Sequence, residues 1–420
     1  MTVSAQESPP DDSSSRASTF ESLRIAAYRT LWLGGLFTFL SVQMQFIARG
    51  WLAFELTGTN AGLGLVYLGF GVSMLVCTPF GGVAADRLEK RKVLIASQVV
   101  LALTSLAIGV AVQTDMIEYW MLVASAVLQG IAFSFVGPGR MAFTAEIVGR
   151  GLLPNAVVLQ QLSMNGTRVF GPAVAGVLIG VAFIGIAGVY LVTTVIAALS
   201  LAFTIALPSS QPKANKATRS PLGDIADGVR YVFSNPLLRL LMLAQWIVVM
   251  AAFPYVAFLP TVAERLFNAG SGGYGLLNTA TAIGAVAVSL VIAKRVTGEV
   301  TWTMLAVFGL LFGASVAALG AAPLYWVGWL VAVLIGVGSS GFQSLVNSLL
   351  LTNSSTEMHG RVQSLAMLAF SGFGMAAAPL GALADAVGLR QTLWLMGAVA
   401  FITTLWCWIR LPRVRSLAAS

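Results

Sequence analysis

Charged residues are scarce in this sequence of 420 residues: 10% are Asp, Glu, Lys or Arg, whereas 57% are hydrophobic. Soluble proteins contain about 25% charged and about 45–50% apolar residues. So few charges cannot cover the surface of a water-soluble fold, so the composition excludes an ordinary soluble protein. The 43 glycines agree with a membrane protein, because Gly allows transmembrane helices to pack closely.

Further scarcities exclude several classes of enzyme. The sequence has one His and two Cys. Cys77 and Cys407 both lie in apolar segments, so we expect neither a metal site nor a disulfide framework. No phosphate-binding P-loop occurs, which argues against direct use of ATP. The stretch Gly336-Val-Gly-Ser-Ser-Gly341 fits a dinucleotide-binding pattern, but it lies in an apolar segment without a preceding strand. We therefore expect no enzyme activity and no cofactor.

Long apolar runs are what the sequence does contain. Twelve stretches are long enough to cross a membrane, which takes about 20 residues. They are predicted at 30–54, 60–84, 92–113, 117–140, 154–179, 182–206, 236–262, 273–294, 301–320, 323–350, 359–385 and 390–410. The fold class is therefore an all-α membrane protein. The predicted organisation is an N-terminal arm (1–29, flexible to about Ser18), a six-helix half (30–206), a polar linker (207–235), a second six-helix half (236–410) and a tail (411–420).

The basic residues indicate the orientation. Twenty of the 24 Lys and Arg residues fall on one side of the predicted spans. Arg265 and Arg390 fall on the other side, and Arg49 and Arg168 lie within spans. The positive-inside rule then places both termini and the linker in the cytoplasm. The net charge of +8 thus reflects membrane topology, and we expect no nucleic-acid partner.

The two halves have the features of a duplication. Span starts recur about 206 residues apart, and Gly171-Pro172 in the fifth span corresponds to Ala378-Pro379 in the eleventh. Two parallel six-helix repeats are the architecture of one large transporter class, whose substrate site lies between the halves near the membrane midplane.

The loop after the second span carries the most specific motif, Gly82-Val-Ala-Ala-Asp86-Arg87-Leu-Glu-Lys90-Arg91-Lys92. It resembles the signature of the major facilitator superfamily, except that Glu89 stands where the family usually has Gly. The Gly would allow close helix approach, and Asp86 would accept hydrogen bonds at a helix N-terminus. We expect the basic residues to stay in water, and Asp86 to stabilise the outward-facing state by meeting the start of the eleventh span near Arg361, with Arg140 close by.

Further stretches resemble the facilitator subfamily that includes bacterial enterobactin exporters, over about residues 20–410. They are Leu23 to Trp32, Trp51 to Gly58, Pro138 to Ala142 with Asn155-Ala156, and His359 to Val362. The resemblance implies a monomeric inner-membrane efflux protein for a small molecule such as a siderophore or drug. The Gly171-Pro172 span is similar to the fifth span of facilitator antiporters, which implies export, although Thr167 and Ala175 stand where Gly is usual.

Protons are the coupling ion that the resemblance implies, but no acid lies at the centre of a predicted span, where proton relays usually place a carboxylate. Intramembrane polar residues are the candidates for substrate contact instead, and Arg168, near the membrane centre, leads them. The predicted substrate-binding residues are Arg168, Asn165, Gln161, Gln45, Arg49, Gln245, Gln343 and Asn347. The predicted gating residues are Gly82, Asp86, Arg87, Arg91, Arg140, Gly171, Pro172 and Arg361.

Two arginines in the membrane without central acids favour an anionic or neutral amphipathic substrate. Competing interpretations are a lipid transporter or metabolite importer of the same fold, which would also contact membrane lipids, and a membrane sensor or scaffold that transports nothing. Structural roles also compete for the individual residues. Buried amides often bond across helices, and Arg168 has a second possible partner in the carbonyls freed by Pro172.

Overall fold

The computed structural model describes residues 20–181, 184–210, 221–295, 300–355 and 358–419, and these are almost entirely helical. Helices are the expected form of apolar segments in a membrane, because a helix satisfies its own backbone hydrogen-bonding groups. The α-helices are α1 (Ala26–Thr57), α2 (Asn60–Arg87), α3 (Lys90–Gln113), α4 (Tyr119–Gly180), α5 (Gly185–Ile205), α6 (Pro221–Ser234), α7 (Pro236–Ala251), α8 (Tyr255–Thr261), α9 (Gly270–Arg295), α10 (Val300–Ala321), α11 (Tyr325–Thr352), α12 (His359–Val387) and α13 (Leu389–Ala419). A short 3-10 helix, Glu21–Arg24, precedes α1, and a π-helical turn, Val262–Leu266, follows α8. The predicted tail up to Ser18 and part of the predicted linker lie outside the described residues.

The helices account for the twelve predicted spans. Eleven described segments are long and apolar enough to cross a membrane, and α7, α8 and the π-helical turn together form one of them, Pro236–Leu266. The twelfth is the second arm of α4, residues 150–180, which follows a kink at Gly149 with a φ of +69°. The sequence predicted a loop between these two spans. The chain instead restarts its helix at once, because Gly adopts a positive φ without steric cost.

Side-chain caps fix two of the helix starts. The Thr59 side chain accepts a hydrogen bond from the Gly62 backbone N–H at 3.1 Å at the start of α2. At the start of α7, the Asn235 side chain accepts from the N–H groups of Leu237 and Leu238. Such caps satisfy N–H groups that have no partner within the helix.

The two halves meet along two helix pairs. α2 of the first half packs on α12 of the second, and the second arm of α4 packs on α9. We call the end of the bundle where α1 and α3 begin the basic end, because most Lys and Arg residues lie there. The end where α1 stops at Thr57 and α2 starts at Asn60 is called the opposite end.

The glycines of the dinucleotide-like pattern serve helix packing in α11. A Cβ atom on Gly336 would lie 1.9 Å from the Thr281 carbonyl oxygen of α9, and one on Gly338 would lie 2.6 Å from the Phe312 nitrogen of α10. Real Cβ atoms do not approach backbone so closely, so these positions need Gly. The pattern therefore reflects close contact between membrane helices.

Candidate functional site

A cleft between the halves narrows toward the opposite end. On α2, Gly64 and Gly71 are buried against α12, and Cβ atoms on them would lie 2.4 Å and 2.7 Å from backbone atoms of α12. Further along the same face, Thr78 is half-buried, and a Cβ atom on Gly82 would meet nothing within 4 Å. The helices therefore touch in one half of the membrane and separate toward the basic end.

The second helix pair shows the same divergence. A Cβ atom on Gly176, in the second arm of α4, would lie 2.3 Å from the Cα atom of Gly275 on α9. Nearer the basic end, Arg168 lies eight residues before Gly176 on α4, and Val286 lies eleven residues after Gly275 on the same face of α9. Both are exposed. Both pairs are thus closed toward the opposite end and open toward the basic end.

Arg168 faces this cleft. It lies two helical turns from Gly176 on the same face of α4, because residues four apart share a face, and that face contacts the other half. Its side chain is exposed, whereas Pro172 and Gly176 on the same side of the arm are buried, as expected of a group that lines a cleft. Among the residues whose side chains are described, none forms a hydrogen bond or ion pair with Arg168. Gln161 is also exposed on this arm, and the side chain of Asn165 lies outside the described residues.

A second predicted group lies within the other half. The Gln245 side chain of α7 is fully buried and donates to the Asn347 side-chain oxygen of α11 at 3.4 Å. Gln343 lies one turn before Asn347 and is half-buried, and its side-chain oxygen has no hydrogen-bond donor among the described residues. The structure therefore brings Gln245 and Asn347 together, as cross-helix amides, but shows no contact between them and Arg168.

The third group is buried in the first half. Arg49 is 2% exposed and donates to the side-chain oxygen of Gln129 on α4. Gln129 in turn donates to Gln45 at 3.3 Å, and Gln45 donates to the Ser41 hydroxyl at 3.0 Å. The predicted pair Gln45 and Arg49 is thus joined through Gln129, which the sequence did not single out. In this state the pair is part of a closed network and does not face the open cleft.

Aromatic rings from both halves close the inner end of the cleft. Tyr67 of α2 packs edge-on against Phe373 of α12, with ring centroids 5.5 Å apart, and Phe46 of α1 contacts both rings. Nearer the opposite end, Trp51 of α1 stacks on Tyr274 of α9 at 5.8 Å. This aromatic layer separates the cleft from the opposite end. Sequence reasoning missed it, since single aromatic residues on apolar helices carry no distinguishing pattern.

The predicted gating residues do not form one cluster. Gly171 packs on Gln43 of α1, where its Cβ atom would lie 2.6 Å from the Gln43 Cβ atom. Arg140 is buried inside the first half, donates to the Leu31 carbonyl oxygen at 2.7 Å and lies over the Phe39 ring. Pro172 follows Gly171 without breaking the helix.

The other gating candidates lie at the basic end. Arg91 donates to the Ile205 carbonyl oxygen, Arg87 is exposed, and the side chain of Asp86 lies outside the described residues. Arg361 lies 3.7 Å from the carboxylate of Asp227 on α6, the linker helix.

One expectation about the signature loop is wrong. Its basic residues were expected to stay in water, but the Lys90 side chain is 5% exposed and lies 3.1 Å from the Glu146 carboxylate of α4. The loop is shorter than predicted, because α3 begins at Lys90 itself, and this places Lys90 between helices. Lys92 is 79% exposed and conforms to the expectation.

Family membership follows from comparison with known proteins. Residues 17–420 match the family described as transmembrane secretion effector, a branch of the major facilitator superfamily. The chain belongs to this family. It is 23% identical over 380 residues to the staphyloferrin A transporter of Staphylococcus aureus (strain NCTC 8325 / PS 47), covering 87% of this chain and 92% of that protein. It is 25% identical over 397 residues to the multidrug efflux pump Tap of Mycolicibacterium fortuitum, covering 88% and 92%.

Other similarities agree with this family. The enterobactin exporter EntS of Shigella boydii serotype 18 (strain CDC 3083-94 / BS512) is 23% identical over 342 residues, covering 81% of this chain and 80% of that protein. The human organic anion transporter MFSD10 has a similar fold, with a TM-score of 0.66 at 16% identity, covering 92% of this chain and 99% of that chain. The predicted superfamily and twelve-helix fold are therefore confirmed. The protein is a multi-pass membrane transporter of small molecules and not an enzyme.

Proposed function

We propose that this transporter exports a small anionic or amphipathic molecule across the bacterial cytoplasmic membrane by alternating access. The positive-inside rule supports an orientation with the basic end in the cytoplasm. In that orientation the structure is a cytoplasm-open state, closed toward the outside by the aromatic layer. An exporter must load its substrate from this state.

The main support for the proposal is the position of Arg168 in the open cleft. A guanidinium inside a membrane protein is costly unless it is paired or hydrated, and Arg168 faces the open cleft without a partner among the described side chains. A carboxylate or other planar anion would supply two parallel hydrogen-bond acceptors for it. Gln161, on the same arm, is exposed to the same side.

The relatives support the same substrate class. Their names describe a siderophore transporter, a siderophore exporter and a multidrug efflux pump. For this chain we propose a substrate with an apolar body, which the aromatic layer at the inner end of the cleft favours, and an anionic or neutral polar group near Arg168. No acid lies at the centre of a predicted span, so the proposal assigns substrate recognition to arginine and amides.

Transport by inside-out membrane vesicles tests the proposal with a panel of radiolabelled siderophores and amphipathic drugs. The expected result is accumulation of at least one compound inside these vesicles, which corresponds to export. Arg168→Ala should reduce the rate at low substrate concentration by about ten-fold or more, since a hydrogen bond to a charged group contributes about 1.5–3 kcal/mol. Arg168→Lys should reduce it less, because the charge remains while the planar fork is lost.

Arg230→Ala is the matched control, because Arg230 is exposed on the linker helix α6, outside the cleft. It should transport at the wild-type rate. Wild-type rates in both Arg168 variants, at equal amounts of protein in the membrane, would contradict the role given to Arg168. Accumulation in right-side-out vesicles instead would identify an importer.

A further inference from the structure

The turn that joins α1 to α2 is held by two side chains from the other half. Arg265, in the π-helical turn after α8, donates to the Gly58 carbonyl oxygen and lies over the Phe54 ring at 5.9 Å. Asp385, in the last turn of α12, contacts the first residues of α2. The second half therefore contacts this turn, at the opposite end, through one cation and one anion.

Asp385 supplies capping that α2 lacks by itself. The first N–H groups of a helix have no partner within it. In α2, Asp385 accepts from the Asn60 backbone N–H at 2.9 Å and from the Ala61 backbone N–H at 2.8 Å, while the next N–H, of Gly62, is capped by Thr59. The Asn60 side chain also donates to Asp385, at 2.8 Å. Two of the N–H groups at this helix start thus depend on the other half of the protein.

The sequence around Asp385 repeats the signature motif. Gly381-Ala-Leu-Ala-Asp385 has the same Gly and Asp spacing as Gly82-Val-Ala-Ala-Asp86. α2 runs toward the basic end and α12 runs away from it, so the two copies end at opposite ends of the bundle. In the second copy the Gly allows α12 to approach the start of α2 closely, because a Cβ atom on Gly381 would lie 2.3 Å from the Asn60 carbonyl oxygen.

The two copies differ in this state. Gly381 and Asp385 are engaged with α2, whereas Gly82 has nothing within 4 Å of a Cβ atom. Inverted repeats nested within each half of such transporters make an arrangement of this kind possible, because equivalent helices then run in opposite directions. The copy whose Gly and Asp contact α2 lies at the closed end. The copy whose Gly has no neighbour within 4 Å of a Cβ atom lies at the open end.

We propose that Asp385 is a latch that stabilises closure of the opposite end by capping α2, as the counterpart of Asp86 at the basic end. When the opposite end opens, Asp385 leaves the N–H groups of Asn60 and Ala61, and water replaces it. Opening therefore removes charge-assisted hydrogen bonds and the favourable position of an anion at a helix N-terminus, so these contacts stabilise the closed state. This latch rests on the proposed alternating access but not on any particular substrate.

Distance measurements between the halves test the latch without a transport assay. Spin labels on Gln113→Cys and Ala321→Cys, both exposed at the opposite end of the two halves, report its opening by double electron–electron resonance. Cys77 and Cys407 are replaced by Ala in this background. Asp385→Asn should lower the ratio of closed to open protein by about two- to five-fold, which corresponds to about 0.3–1 kcal/mol for an exposed carboxylate at a helix N-terminus. Asp86→Asn should shift the ratio in the other direction.

Glu118→Gln is the matched control. Glu118 is an exposed acid at the same end, and its carboxylate binds Trp120 two residues later rather than the other half. Asn60→Ala removes one donor to Asp385 and should shift the ratio in the same direction as Asp385→Asn by a smaller factor. It provides the test if Asp385→Asn does not reach the membrane.

An unchanged distance distribution in the Asp385 and Asn60 variants would overturn the latch, and so would an equal shift in Glu118→Gln. A failed export assay with a normal shift in Asp385→Asn would overturn the proposed substrates and leave the latch in place. The two proposals can therefore fail separately.

Discussion

The contact between Gly176 and Gly275 gives the sharpest test of which end is closed. In Gly176→Ala the new methyl group would lie 2.3 Å from the Gly275 Cα atom, whereas carbon atoms in contact are about 3.5–4.0 Å apart. The helices must separate by more than 1 Å, and the neighbour that has to move is backbone. Inserting a methyl group into well-packed structure costs about 1–3 kcal/mol. This strain is present only when the opposite end is closed, so the ratio of closed to open protein should fall by about five-fold or more.

Gly166→Ala is a closely matched control on the same arm of α4, because its Cβ atom would meet nothing within 4 Å. Both variants raise helix propensity equally, so a difference between them reports the contact with α9. The spin labels on Gln113→Cys and Ala321→Cys should show an opening in Gly176→Ala and none in Gly166→Ala. Identical distance distributions in the two variants would refute the assignment of the Gly176 contact to the closed gate.

Two further predictions concern topology and stability. Arg230→Cys on the linker helix should resist a membrane-impermeant maleimide in intact cells and react after permeabilisation, because the linker is predicted to be cytoplasmic; labelling of intact cells would contradict the orientation. Glu146→Gln should lower the melting temperature in detergent, by the equivalent of about 1–3 kcal/mol, because it leaves the buried ammonium group of Lys90 without its carboxylate partner. Glu89→Gln should have little effect, since its partner Lys92 is 79% exposed and stays hydrated, and such pairs contribute about 0–1 kcal/mol; equal losses in both variants would argue against the role of Glu146 as partner of the buried Lys90.

The fold could be predicted from the sequence because membrane insertion depends on local composition. An apolar run of sufficient length must form a helix to satisfy its backbone in lipid, whatever its neighbours are. The kink at Gly149 was not predicted, because the residues between the spans 117–140 and 154–179 were expected to form a loop. The positive φ of one Gly replaces that loop.

The candidate site was predictable residue by residue but not as an arrangement. Charged and amide residues inside apolar spans stand out, which is how Arg168, Arg49 and Gln245 were found. Their partners were not predictable, because the bond from Arg49 to Gln129 joins helices that are 80 residues apart in the chain. Asp385 lies near the end of a predicted span, and the Gly381 to Asp385 repeat of the signature spacing is the sequence feature that distinguishes it.

The sequence by itself thus determined that the chain crosses the membrane twelve times, in two halves, and predicted which end faces the cytoplasm, because these properties depend on the composition of each segment. Only the tertiary structure decided which predicted polar residues face the cleft and which are buried in one half. It also decided that the opposite end is closed, since closure depends on distances between helices far apart in the chain, at Gly176 and Gly275 and at Asp385 and Ala61. Such distances follow from the packing of whole helices, which no single segment encodes.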